Sequence, residues 1–112
     1  MIAKKNDKKI KELTAAILML KDSGEARKFL RDLLTESELV ELGNRWKAAR
    51  MLSEKISYIK IEKETGLSST TVARVSDWLN KGMGGYRLIL KRINSHHHTF
   101  SPLKRKGCVD IG

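Results

Sequence analysis

Ser68, Ser69, Thr70 and Thr71 form an unbroken run of hydroxyl side chains, beginning two positions after Gly66. Hydroxyls either attack as nucleophiles once a base activates them, or exchange hydrogen bonds with phosphates and base edges. The first use needs a nearby base, and all three histidines sit together at His96-His97-His98 in the C-terminal stretch. The second use fits the spacing. Ser68 is placed to cap a helix, so Ser69, Thr70 and Thr71 fall in its first turn, where free backbone N–H groups point outward. Lys60 and Lys63 before the run and Lys81 after it could neutralise phosphates, setting salt sensitivity without reading sequence. Arg74 could reach either a phosphate or a base.

Other chemistry finds little support. No glycine-rich phosphate loop follows a strand pattern, and no His-Glu-x-x-His zinc signature occurs. The carboxylate pairs Glu36/Glu38 and Glu62/Glu64 are accounted for by helix-start electrostatics and solvation. Adjacent histidines cannot all face one ion, so His96–His98 with Cys108 make a poor metal site. The chain is therefore expected to be no enzyme, with no cofactor and no metal.

The elements that must position the hydroxyl run are two short helices meeting at Gly66. Tyr58 to Thr65 supplies the first, and Gly66 can take the positive φ of the turn. Ile61, Leu67, Val72 and Val75 should form the small core between them. This is the grammar of a helix-turn-helix, whose second helix lies in a DNA major groove. Upstream, Ile10, Leu13, Ile17 and Leu20 mark one stripe of a helix over 7–21. A second helix, capped by Ser23, carries Ala26, Phe29, Leu30, Leu33 and Leu34. Thr35 and Glu38 make a capping box for a third, which runs to about Leu52 with Leu39, Leu42, Trp46, Ala49 and Leu52 on one side. A last helix spans about Tyr86–Ile93, after the stop at Gly82-Met83-Gly84-Gly85. Residues 94–112 read as a flexible basic tail that includes Lys104-Arg105-Lys106.

At 112 residues, with hydrophobic side chains at 40%, the chain suits one all-helical domain over 1–93. The first three helices display more apolar face than so small a core would hide, so a homodimer is expected. The net charge of +10 favours a polyanionic partner, double-stranded DNA first, and residues 55–112 carry +7 of it. No transmembrane span or signal-peptide core is present, so no membrane partner is expected. A lone cysteine, Cys108, suits a reducing cytoplasm.

The segment Phe29-Leu-Arg-Asp-Leu-Leu-Thr35, followed by Glu38, Leu42, Gly43 and Arg45, resembles the start of the tryptophan repressor fold. Glu64, Thr65, Gly66, Thr71, Arg74 and Leu79 continue the likeness. Within that superfamily the chain is similar to the YerC/YecD group, sharing Ala49-Arg-Met-Leu52, Ser57-Tyr58, Ile61-Glu62, Thr65-Gly66, Arg74-Val75 and Leu79-Asn80. The resemblance covers roughly 8–93. It implies an intertwined helical homodimer of about six helices per chain that represses transcription by binding an operator. It also implies an effector pocket, with an indole held between Arg45 and Arg74 and an amino-acid group met by the Leu33 and Leu34 carbonyls and the Thr35 hydroxyl.

Two positions depart from that pattern. Val75 stands where a small residue must let an indole pass, and Trp78 stands where the repressor has a small polar residue. Trp78 could project toward Arg45 and Arg74, filling the pocket from within, or it could be a core residue one turn beyond Val75. Arg74 correspondingly either contacts DNA or lines the pocket. Glu62, where the wider helix-turn-helix pattern prefers a small residue, argues against a lambda-repressor-like assignment, leaves the Trp-repressor-like one intact, and leaves contact details open. The expected function is a sequence-specific transcriptional repressor that does not respond to tryptophan, any small-molecule effector being left open. The alternative is a helical dimeric interaction module that binds RNA or an acidic protein.

Overall fold

The computed structural model describes residues 3–95. The tail motifs His96–His98, Lys104–Lys106 and Cys108 lie outside the described residues. All regular structure among the described residues is helical: α1 Lys4–Ile17, α2 Ser23–Leu33, α3 Glu36–Ser53, α4 Tyr58–Thr65, α5 Ser69–Lys81 and α6 Gly85–Ser95. No helix is long and apolar enough to cross a membrane, and no cluster of His, Cys, Asp and Glu could hold a metal, among the described residues. The chain divides into two compact units, residues 1–41 and 42–112, with the boundary inside α3.

In the first unit, α1 begins three residues before the expected Asp7 and stops at Ile17 rather than Lys21. Past Ile17 the backbone bonds tighten to a three-residue step, Met19 N–H donating to Ala16 O at 3.0 Å and Leu20 N–H to Ile17 O at 3.1 Å. Asp22, not Ser23, is the N-cap of α2, and its carboxylate accepts from the Glu25 N–H at 2.9 Å. That cap needs the extended backbone of Asp22, and Glu25 Oε1 in turn accepts from the Lys21 N–H at 2.9 Å. A carboxylate at the positive end of a helix does this better than a neutral hydroxyl. The capping box at α3 forms as its sequence requires. Thr35 N–H donates to Glu38 Oε1 at 2.9 Å, and Glu38 N–H donates to Thr35 Oγ1 at 3.1 Å. None of the described residues of this unit is buried, although α1 and α2 carry long apolar stripes.

The second unit holds the core: Ala48, Ala49, Ile61, Leu67, Val72 and Val75, with Trp46, Met51, Leu52, Ile56 and Tyr86 packed against it. Ala48 and Ala49 of α3 share one buried cluster with the branched Ile61, Val72 and Val75, all five of them fully buried. α3 ends without glycine or asparagine. Lys55 takes the left-handed conformation (φ 65°), letting Lys55 N–H donate to Leu52 O at 3.0 Å and Ile56 N–H to Met51 O at 3.1 Å. α6 runs two residues past the expected Ile93, through Asn94 and Ser95.

Between α4 and α5 the chain reverses at Gly66, with φ 77° and ψ 2°. A Cβ there meets no neighbouring atom, so the requirement for glycine is conformational and not steric crowding from outside. Gly66→Ala is expected to destabilise the fold by about 1–2 kcal/mol, the cost of placing an L side chain in the left-handed region. Urea unfolding followed by circular dichroism checks this. An unchanged midpoint would mean that the turn does not constrain the fold.

Candidate nucleic-acid interface

Thr65 closes α4 from within. Its hydroxyl is buried, donates to Ile61 O at 2.7 Å and accepts from Leu67 N–H at 3.2 Å. One side chain thus ties the end of α4 to the turn, and Leu67 drops into the core. Sequence reading assigned Thr65 no such role, because an S/T hydroxyl bonding back to i−4 leaves no periodic signal. Ser57 caps α4 by accepting from Lys60 N–H at 3.2 Å.

Ser68 caps α5 as its position predicts. Its Oγ accepts from Thr71 N–H at 3.1 Å, and its own proton is donated to Thr71 Oγ1 at 3.1 Å. Thr71 therefore keeps its hydroxyl proton for an outside acceptor. Ser69 and Thr70 are exposed, with no side-chain hydrogen bond among the described residues. Their backbone N–H groups lie in the first turn, where no carbonyl of the same helix can reach them. The N-terminus of α5 thus offers donors to a phosphate or a base edge.

Along α5 the exposed Thr70, Arg74, Asp77 and Lys81 recur at helical spacing, opposite the buried Val72 and Val75. Arg74 and Lys81 accordingly share a face with Thr70, and Lys60 is exposed in the first turn of α4. The core that holds this face is apolar, while the face itself is polar.

The residues of the expected effector pocket are placed less uniformly. The Arg45 guanidinium carbon lies 5.7 Å from the centroid of the Trp78 ring, a cation–π distance. Trp78 is 43% exposed, which overturns its reading as a core residue. Although Val75 and Trp78 are three apart, the indole lies at the rim of the core, under Arg45. Val75 is fully buried and Arg74 is exposed. In the other unit, the Thr35 hydroxyl is engaged in the α3 cap, while Leu33 is exposed and Leu34 is half-buried.

A second arginine–aromatic arrangement continues on α3. The Arg50 guanidinium lies 5.9 Å from the Trp46 centroid, and the Trp46 ring stacks on Tyr86 of α6 at 6.2 Å and 24°. Burial pushes the Tyr86 phenol above its ordinary pKa, and the Arg45 charge opposes that shift in part. The phenol therefore stays protonated at neutral pH and acts as packing and a neutral hydrogen-bonding group.

The Trp repressor protein family matches residues 8–94. The uncharacterized protein YerC of Bacillus subtilis (strain 168) is 42% identical over 92 residues, covering 82% of this chain and 88% of YerC. A TrpR-like protein from Eubacterium eligens ATCC 27750 superposes with a TM-score of 0.74 at 38% identity, over 78% of this chain and 90% of that one. A candidate Trp repressor from Staphylococcus aureus superposes at 0.73 and 34% identity, over 82% and 96% of the two chains. A collinear match across nearly every helix, with the helix-turn-helix inside it, places this chain in the Trp repressor family.

Proposed function

We propose that the protein is a homodimeric, sequence-specific DNA-binding transcription regulator, acting as a repressor, that inserts one α5 per protomer into successive major grooves. The observation that carries this reading is the first turn of α5, where the exposed Ser69 and Thr70 and the half-buried Thr71 present donors while Val72 and Val75 anchor the same helix in the core. Lys60, Arg74 and Lys81 supply cations for the flanking phosphates. Family membership supports a regulatory role, and the unburied apolar stripes of α1 and α2 support a second copy as their cover. Residues 1–93 act as the DNA-binding domain, and the basic tail adds affinity without specificity.

Selection of bound sequences from a random DNA pool tests this. The expected product is a palindrome with half-sites about one helical turn apart. Salt-dependent binding that does not discriminate among sequences would favour an interaction module for RNA or an acidic protein instead.

DNA binding is proposed to need no free tryptophan. The Arg45 guanidinium already faces an indole that belongs to the chain, and Val75 occupies the position that must be small to admit another. Titrating tryptophan into the purified protein in a calorimeter is expected to give no saturable heat, and the selected palindrome should be the same with and without amino acids. A saturable tryptophan site would sink this part of the proposal.

A further inference from the structure

α5 ends against an arginine from the next helix. Arg87 Nε donates to Leu79 O at 2.9 Å, and Arg87 Nη2 donates to Asn80 O at 3.3 Å. These carbonyls belong to the last turn, which has no partners within its own helix. Trp78 O is taken by Gly82 N–H at 2.9 Å. The planar fork of the guanidinium thus satisfies two consecutive carbonyls at once, and its charge sits at the negative end of the helix dipole.

The neighbouring residue fixes the other side of the same connection. Tyr86 stacks on Trp46 of α3, so adjacent residues in the first turn of α6 hold two different helices. Gly82 permits the tight approach, since a Cβ there would stand 2.5 Å from Trp78 O. Gly84, at φ 92°, then turns the chain into α6. The C-terminal end of α5 is therefore held by Arg87, while Arg45 lies over Trp78 in the same last turn. The N-terminal end is held by Ser68 and the core.

We propose that Arg87 is a positioning residue for DNA reading: it clasps the end of α5 and fixes the angle at which that helix presents Thr70, Thr71 and Arg74. This rests on the DNA-binding reading above. Arg87 is exposed and basic, so the rival role is a plain phosphate contact, and the two roles differ in their salt dependence.

The test compares wild type with Arg87→Lys and Arg87→Gln, using the operator recovered by selection. Affinity is measured across a salt series, and amide hydrogen exchange is measured without DNA. A lysine cannot reproduce the two-carbonyl fork, so both variants are expected to bind about tenfold more weakly. The slope of affinity against salt should stay at the wild-type value, since no phosphate contact is lost. Amides of residues 79–82 should exchange faster in both variants, while those of Ile61, Val72 and Val75 stay protected.

A phosphate contact predicts the opposite pattern: Arg87→Lys near wild type, Arg87→Gln with a slope shallower by about 1, and unchanged exchange. That result would overturn the clasp. Affinity lost only in proportion to a lowered melting temperature would also overturn it, reducing Arg87 to a stabilising residue. A wild-type protein that selects no DNA sequence overturns the DNA-binding reading itself, whereas wild-type binding matched by both variants overturns the clasp alone.

Discussion

Replacing Thr70 and Thr71 together by alanine is expected to lower affinity for the selected operator by at least about a hundredfold, with little change on random-sequence DNA. Thr70 is exposed with its hydroxyl unengaged, and Thr71 retains a proton to donate after accepting from Ser68. Each good base contact discriminates by roughly 1–3 kcal/mol, and a dimer loses every contact twice. The fold should survive the change. The cap depends on the backbone N–H of residue 71, which alanine keeps, and alanine favours the helix more than threonine does. Lys60, Arg74 and Lys81 are untouched, so the salt dependence should persist. Fluorescence anisotropy on operator and scrambled duplexes separates the terms. An equal loss on both, or none on either, would remove these threonines from any reading role.

The parts of this site that were legible in the sequence are those in which one residue type answers one physical need. Gly66 answers a positive φ, Ser68 answers an open helix end, and Ile61, Leu67, Val72 and Val75 answer the demand for a buried seam. Each can be assigned without knowing what lies across the molecule. The second helix cap shows the limit of such reasoning. Asp22 and Ser23 can both cap, and the choice fell to the carboxylate because Glu25 could close the turn back onto Lys21. The end of α3 was less visible still, since Lys55 adopts a conformation that its type does not advertise.

Arg87 was hidden, and the choice between two placements of Trp78 left open, for another reason. Helical periodicity assigns a face, but at the edge of a small core a three-residue step carries a large indole onto the rim. What holds it there is Arg45, from a different helix. Arg87 likewise bonds carbonyls seven and eight residues earlier, across a glycine turn, where no pattern of types records the geometry. Contacts between elements decide the details of this site, whereas signals within elements decide its existence.

The second large effect concerns the first unit. Ile10 and Ile17 of α1 are 41% and 45% exposed in the single chain, on the stripe that also includes Leu13. Were that stripe solvated in the working protein, Ile10→Asp/Ile17→Asp would be nearly silent, since surface substitutions usually change stability by no more than about 0.5 kcal/mol. If a second copy covers it, two carboxylates are forced into an apolar seam, at a cost of several kcal/mol for each unpaired charge. The double variant is therefore expected to halve the mass measured by light scattering. Operator affinity should fall by about a hundredfold or more, because each half-site must then bind alone and lose the effective concentration that a linked pair provides. Residues 42–95 contain every described buried residue of the chain, so helicity and a melting transition should persist for that unit. A variant with undiminished mass and operator affinity would show that the α1 stripe is not the dimer seam. A variant that halves in mass yet binds the operator at full strength would show that one protomer reads DNA alone, and the palindromic operator would then have no structural basis.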